Sequence, residues 1–149
     1  LEYDPEDIVL MYEQLLKHKC DVAYGNRFGV YNGVGYLTHF YGNIMLSFIA
    51  SIFTSWRLRV MIPDMEVCYK LFRGDIIRDV AKNIVSQSNF GFEPEVTAKL
   101  SKYKIDDKHL KFIVLPIRYH PRTVEEGKKI TAIEDGLKTL FEIIRFNIF

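Results

Sequence analysis

Residues 36–54 carry no charged side chain other than the weakly basic His39, and this segment constrains the fold more than any other. Its length approaches the roughly 20 apolar residues that a membrane-spanning helix requires. Three hydroxyl residues, Ser47, Ser51 and Thr54, interrupt the apolar run. We therefore predict a helix that is buried in the protein or lies at an interface, rather than one that spans a bilayer.

Helical and strand patterns alternate along the rest of the chain. Asp4 and Pro5 have the residue types of an N-cap and a first helical position, and acids follow in the first turn. The predicted strands are residues 22–24, 68–72 and 112–119, and the predicted helices begin at Asp4, Ile76, Pro94 and Thr131. This alternation predicts an α/β fold.

Composition narrows the range of partners. The net charge is only +1, so no overall electrostatic attraction to nucleic acid is expected. Cys20 and Cys68 stand far apart in sequence, and the four histidines are scattered. A disulfide framework and a histidine metal site are therefore not expected, and the thiols suit a reducing, cytosolic compartment.

The C-terminal segment has the pattern of an amphipathic helix. Thr131 and Glu134 form a capping box at its start. The residues predicted for its apolar face are Ile133, Leu137, Leu140, Phe141, Ile144 and Ile148. Such a face either lies on a bilayer surface or packs on the sheet of the same protein, and the pattern leaves both alternatives open.

Five segments, in order, resemble the polyprenyl-phosphate sugar transferases, a group of family-2 glycosyltransferases that includes dolichol-phosphate mannose synthase. They are LEYDP (residues 1–5), GNRF (25–28), PDMEVCYK (63–70), GFEPEVTAK (91–99) and RTVEEGKK (122–129). Each segment is modest alone, but together they span nearly the whole chain.

The resemblance implies that residues 1–149 are the C-terminal, acceptor-side portion of a single GT-A domain with a mostly parallel sheet flanked by helices. The D-x-D motif and the nucleotide-binding part of the fold are expected before Leu1. The implied activity is an inverting, metal-assisted transfer of a sugar from a nucleotide donor to a polyprenyl or dolichyl phosphate. The implied location is the cytoplasmic face of a membrane, and this portion alone is expected to be inactive.

Three acids are candidates for the site. Glu2 resembles an additional ligand for Mg²⁺ or Mn²⁺, which prefer oxygen donors, although a solvated terminal Glu is the alternative. Asp64 and Glu66 stand two apart at the entry to a predicted strand, where both carboxylates could face one side. The resemblance implies that they lie near the acceptor, with Asp64 as an orienting acid. A loop cap or a structural salt bridge is the other interpretation of Asp64.

The cationic candidates are Arg27, Arg122, Lys128 and Lys129. Arg27 follows a predicted strand, at the sheet edge where α/β proteins place ligands. Guanidinium groups bind phosphate through two parallel hydrogen bonds, and ammonium groups add point charge. We therefore predict that these residues bind phosphate, although the two lysines alone would suit a solvated surface.

Glu93 and Glu95 flank Pro94, so we expect Glu93 to be extended and Glu95 to lie in the first helical turn. Glu93 is predicted to contact the sugar or to brace the acceptor loop, whereas helix capping is sufficient to explain Glu95.

One departure from the family weakens the assignment of a lipid phosphate. No arginine stands between Gly29 and Phe53, where some relatives carry a second phosphate-binding arginine, and this chain offers His39 instead. The alternative to an enzyme is a non-catalytic module that binds membrane surfaces or partners through the C-terminal helix and the basic loop.

Overall fold

The computed structural model describes residues 2–29, 32, 37–86, 90–122 and 132–148. The helices are α1 (Glu6–Lys17), α2 (Leu37–Leu58), α3 (Gly74–Ala81), α4 (Phe92–Lys102) and α5 (Ala132–Ile148). The strands are β1 (Val22–Asn26), β2 (Lys70–Phe72), β3 (Lys104–Ile105), β4 (Lys108–His109) and β5 (Phe112–Pro116). The prediction of a mixed helix and strand protein is confirmed.

The main sheet has the strand order β2-β1-β5 and is mixed rather than mostly parallel. β1 pairs with β5 in parallel and with β2 antiparallel. The reason lies in the path into β2, where the Gly25 N–H donates to the Tyr69 carbonyl at 2.9 Å. The chain thus enters β2 at the sheet edge where β1 leaves, so β2 must run in the opposite direction.

Several element boundaries differ from the sequence prediction. β2 covers only the last three residues of the strand predicted for 68–72, and α3 begins two residues before Ile76. Glu93 was expected to be extended, but α4 begins at Phe92 and includes it. Pro94 falls in the first turn of α4, where a missing backbone N–H leaves no intrahelical hydrogen bond unmade.

The buried strand β1 organises the core. Val22, Ala23 and Tyr24 are fully buried, and α1 packs on β1 and β2. Helices α2, α4 and α5 pack on one another, and Tyr24 hydrogen bonds through its hydroxyl to Thr97 Oγ1 of α4 at 3.0 Å. Helix α1 therefore packs on the sheet, and the hydrogen bond between Tyr24 and Thr97 connects the sheet to the layer of α2, α4 and α5.

Helix α2 is the one helix in the described ranges that is long and apolar enough to cross a membrane by length and composition. One of its faces is nevertheless bound to the protein. The Met65 N–H donates to Ser47 Oγ at 2.8 Å, and Ser51 Oγ exchanges two hydrogen bonds of 3.1 Å with the backbone of Ile62. Two of the three hydroxyl residues that interrupt the apolar run, Ser47 and Ser51, thus attach α2 to residues 62–65.

Candidate functional site

A cleft of about 660 Å³ lies between the N-terminal halves of α2 and α5. It contains four of the predicted site residues, Glu2, Arg27, Glu66 and Arg122. The cleft is also lined by His39 of α2. Residues from distant parts of the sequence therefore meet at the ends of β1 and β5.

Arg27 is held in one orientation by Asp64. Asp64 Oδ2 accepts hydrogen bonds from the Arg27 backbone N–H at 3.0 Å and from Nε at 2.7 Å, while Oδ1 accepts from Nη2 at 2.6 Å. Asp64 is fully buried and the Arg27 side chain is 11% exposed. Burial alone would lower the pKa of Arg27, but the hydrogen bonds and charge of Asp64 raise it above its ordinary value. Arg27 therefore stays charged, with its plane fixed.

Asp64 does not itself line the cleft. It acts on the cleft through Arg27, whose third nitrogen Nη1 takes no part in the hydrogen bonds with Asp64. This geometry corresponds to the structural salt bridge that the sequence left open as an alternative. An orienting role for Asp64 toward an acceptor remains a prediction, and the contact that could carry it is the guanidinium of Arg27.

Three tyrosines that the sequence analysis did not single out form a cluster that contacts Arg27 through Tyr119. Tyr3 stacks on Tyr69 with ring centroids 4.7 Å apart and packs against Tyr119 at 5.2 Å. The Arg27 guanidinium lies 5.2 Å from the centre of the Tyr119 ring. Burial raises the pKa of Tyr119, although the nearby guanidinium opposes this effect. The aromatic rings thus form an apolar wall beside a fixed positive charge.

Asn32, which was also not predicted, joins the loop after β1 to the segment after β5. Its side-chain amide donates to the carbonyls of Arg27 at 2.6 Å and Ile117 at 3.0 Å, and its Oδ1 accepts from the Tyr119 N–H at 3.0 Å. The single side chain therefore fixes the spacing between Arg27 and Tyr119.

Arg122 is paired with Glu2 at the cleft surface. Glu2 Oε1 accepts from the Arg122 backbone N–H at 3.0 Å and lies 3.2 Å from Arg122 Nε. The Arg122 side chain is 57% exposed and that of Glu2 is 22% exposed. Solvent screens such a pair, so it can exchange partners at little cost.

The N-terminal segment that carries Glu2 is itself anchored by Arg118. Arg118 Nη1 lies 2.7 Å from Asp4 Oδ2, and Asp7 accepts from the Arg118 backbone N–H at 2.6 Å and from its Nε at 3.0 Å. Asp4 also accepts from the Glu6 N–H at 3.0 Å, so it caps α1 from one residue further out than predicted. The acids of the first helical turn thus join α1 to the end of β5.

Glu66 is a carboxylate in the cleft that forms no ion pair with an arginine among the described residues. Its Oε1 is buried and has no hydrogen-bond partner within the described part of the chain. Burial, with the charge of Glu93 as the next cause, raises the pKa of Glu66 to about 7. A carboxyl group with this pKa is partly protonated near neutral pH, so it can donate or accept a hydrogen bond.

Lys70 lies beside Glu66 and was not identified from the sequence. Its Nζ donates to the Val67 carbonyl and lies 5.2 Å from the centre of the Tyr24 ring. Burial lowers the pKa of Lys70, while the charges of Glu93 and Glu66 oppose the decrease. Glu93 does not line the cleft and acts there through this buried charge cluster.

Glu95 has a structural role different from the predicted capping of its own helix. It is fully buried, and its two oxygens accept from the backbone N–H groups of Val85 at 2.8 Å and Ser86 at 2.7 Å. Burial would raise the pKa of Glu95, but Lys99 and these two N–H groups lower it overall. Glu95 therefore holds the segment that follows α3.

Lys128, Lys129 and the capping residue Thr131 lie outside the described residues. Within the described ranges, no group of three or more His, Cys, Asp or Glu side chains is arranged to hold a metal ion. Glu2 offers one carboxylate, and that carboxylate is bound to Arg122. These residues do not by themselves fit a complete divalent-metal site.

Comparisons with models of protein families, with curated proteins and with solved structures found no match.

Proposed function

We propose that the chain is the acceptor-side part of a glycosyltransferase that moves a sugar from a nucleotide donor to a polyprenyl phosphate. The observation that carries the proposal is the cleft between α2 and α5. It is lined by two arginines, by the half-buried carboxyl group of Glu66 and by apolar side chains of the two helices. A lipid phosphate has an anionic head and an apolar tail, and these two kinds of surface suit it.

Arg122 is the residue proposed to bind the phosphate directly. Because the Arg122 side chain is 57% exposed, solvent screens its pair with Glu2, and a phosphate can compete with the carboxylate for the guanidinium. The planar guanidinium then offers two parallel hydrogen bonds to phosphate oxygens. Arg122 is therefore proposed to exchange its contact with Glu2 for one with the phosphate.

Arg27 is proposed to act as a fixed charge. Breaking its buried pair with Asp64 would leave an uncompensated charge in the protein, so this arginine cannot exchange partners as Arg122 does. Its guanidinium instead presents a preorganised positive field to the cleft, and such a field stabilises negative charge that develops during transfer.

Glu66 is proposed to contact a hydroxyl group of the substrate. Its buried Oε1 has unused hydrogen-bonding capacity within the described part of the chain, and it faces the same cleft as Arg27. A phosphate monoester is already anionic near neutral pH, so the nucleophile needs positioning more than deprotonation. A divalent cation enters the proposal only through the family resemblance, and we assign it no step.

The second candidate function is a non-catalytic module that binds membranes. The observation in its favour is the set of exposed apolar side chains on α2 and α5, including Phe48 and Phe141. This candidate explains the apolar helices but leaves the arginines and Glu66 without a role.

A transfer assay distinguishes the two. The intact protein is incubated with radiolabelled UDP- and GDP-sugars, Mn²⁺ and a short polyprenyl phosphate in detergent, and lipid-linked label is extracted. We expect label in the lipid for at least one donor and a large loss in the Arg122→Ala variant. Vesicle binding without any lipid-linked sugar over the whole donor panel would refute the transferase and favour the module.

A further inference from the structure

The buried surroundings of Glu66 hold more negative than positive charge. The groups that act on Glu66 are Glu93 on α4, Lys70 on β2, and the pair of Arg27 with Asp64. Arg27 and Asp64 balance each other through their side-chain hydrogen bonds. Glu66 and Glu93 therefore share the single positive charge of Lys70, which leaves one negative charge in excess when all five groups are ionised.

No neighbouring group in the described ranges donates a hydrogen bond to Glu66 Oε1, which is buried. The Lys70 ammonium donates instead to the Val67 carbonyl and lies 5.2 Å from the centre of the Tyr24 ring. A proton on Glu66 removes the excess charge without any movement of the protein. The pKa of about 7, to which burial and then the charge of Glu93 raise this group, agrees with that solution.

The protonated form of Glu66 also suits an anion in the cleft. Glu66 shares the cleft with Arg27 and Arg122, the two arginines that attract phosphate. An ionised carboxylate in this position repels the same phosphate, because like charges disfavour each other at short range. A protonated carboxyl group removes the repulsion and offers one O–H donor. Its carbonyl oxygen can still accept a hydrogen bond from a hydroxyl group of the ligand.

We propose that the cleft takes up a proton together with a phosphate-bearing ligand, and that Glu66 is the residue that receives the proton. The proton comes from the solvent, and no covalent bond of the ligand changes. Glu93 and Lys70 are positioning residues, because their opposite charges set the pH at which Glu66 accepts the proton. The other cleft-lining groups that can titrate are Glu2, His39, Cys68 and Asp135.

The direction of the pH effect follows from linkage. A bound anion raises the pKa of a neighbouring carboxyl group above its value in the free protein. The ligand therefore binds the protonated form more tightly, and its affinity falls as pH rises through 7. A phosphate monoester completes its own second ionisation near pH 6, so the range from pH 7 to pH 9 reports mainly on the protein.

The inference rests on the proposed function only in naming phosphate as the anion. Ligand binding requires no sugar donor and no turnover, so the two can fail separately. Loss of sugar transfer with normal proton uptake would refute only the transferase. Sugar transfer without proton uptake on binding would refute only the role of Glu66.

The test is isothermal titration calorimetry of the intact protein with geranyl phosphate, a short and soluble prenyl phosphate. Titrations in two buffers with different ionisation enthalpies count the protons that accompany binding. With a coupling of about 20-fold, which is usual for linked sites, the wild type should take up about 0.6 proton per ligand at pH 7.5. Its affinity should be about tenfold weaker at pH 9 than at pH 7.

Glu66→Gln should remove both effects, because the amide is neutral at every pH and still donates a hydrogen bond. At pH 9 this variant should bind geranyl phosphate about 20-fold more tightly than the wild type, a gain that a merely structural residue would not give. Glu93→Gln should move the loss of affinity to lower pH, and Lys70→Met should move it to higher pH. Opposite shifts from two neighbouring residues identify their charges as the cause.

The matched control is Glu2→Gln, which removes the other glutamate of the cleft. It should release Arg122 for the phosphate but keep the loss of affinity between pH 7 and pH 9. Thermal melts should verify that every variant folds. A wild type that takes up no proton, a Glu66→Gln variant with the same pH dependence as the wild type, or the absence of any binding at pH 7 would each overturn the proposal.

Discussion

Each of the two arginines that line the cleft is paired with a carboxylate, and the two pairs differ mainly in burial. Arg27 and Asp64 are joined by three hydrogen bonds, and Asp64 is fully buried. Arg122 and Glu2 are joined at the surface, where more than half of the Arg122 side chain is exposed. Both pairs have complementary charges and similar chemistry, but only the exposed pair can release its arginine to a ligand without a large desolvation penalty.

The comparison teaches that proximity to a cleft does not define the role of a charged residue. The buried pair fixes the orientation of the Arg27 guanidinium. The exposed pair leaves Arg122 accessible to a ligand that enters the cleft. Glu66 is a third case, a carboxyl group whose buried Oε1 has no hydrogen-bond partner among the described residues. Four substitutions separate these cases, and the expected effects decrease from the buried pair to the exposed one.

Asp64→Asn should have the largest effect, because it leaves the charge of Arg27 buried without a counter-charge. Breaking a buried pair costs about 3–5 kcal/mol in the free energy of unfolding, and urea denaturation measures it. Asp64→Asn combined with Arg27→Met should recover part of the loss, since the pair is then removed together. A change below about 1 kcal/mol for the single variant would mean that the pair is not buried in solution.

Glu66→Gln should change how stability depends on pH. The fold raises the pKa of Glu66 from 4.5 to about 7, so the native state favours the protonated form. This preference contributes fully to the free energy of unfolding below pH 4.5, and the contribution is lost as pH rises through 7. Above that pH the glutamine variant should be more stable than the wild type, by about 3 kcal/mol at most.

Urea denaturation of both proteins at pH 5 and pH 8 tests this expectation. The free energy of unfolding of the glutamine variant should change less between the two pH values than that of the wild type. Identical pH dependence of variant and wild type would contradict a raised pKa at Glu66. Lys70→Met serves as a control, because removal of the neighbouring cation should steepen the loss at high pH.

Arg122→Lys should reduce kcat/KM in the transfer assay by about 30-fold, which corresponds to about 2 kcal/mol of transition-state stabilisation. A lysine keeps the charge but cannot form two parallel hydrogen bonds to a phosphate. The melting temperature should stay close to that of the wild type, because the pair with Glu2 is exposed. Near-normal turnover of the variant would indicate that another cation binds the phosphate.

Glu2→Gln should have the smallest effect on stability, within about 0.5 kcal/mol, as expected for an exposed ion pair. Thermal melts at low and high salt measure the difference. A loss comparable to that of Asp64→Asn would show that the two pairs are energetically alike and would remove the basis of the comparison.

The sequence predicted the local features of the fold more successfully than its long-range pairs. The apolar residues of β1 and the position of Arg27 just after this strand are visible in a few consecutive letters. The hydrogen bonds between Arg27 and Asp64 join residues 37 positions apart, and no periodicity links them. The direction of β2 was also not predictable, because it depends on where α2 returns the chain.

The C-terminal helix shows a different limit of sequence reasoning. Periodicity identified the apolar face that includes Leu137 and Phe141, but the same pattern fits burial against a sheet and exposure to a bilayer. The structure turns Leu137 and Phe141 outward, packs Leu140 of the same face against the core, and buries Thr139, Glu142 and Ile143. Amphipathic spacing therefore identifies a face, whereas the neighbouring elements decide what that face meets.

The hydroxyl groups that attach α2 to residues 62–65 have a mechanical consequence. Ser51 holds Ile62 and Ser47 holds Met65, and Asp64 lies between these two attachment points. A tilt or rotation of α2 must therefore move the Asp64 carboxylate, and with it the plane of the Arg27 guanidinium. A molecule that binds the exposed apolar side of α2 and shifts the helix would therefore also shift the guanidinium of Arg27 in the cleft.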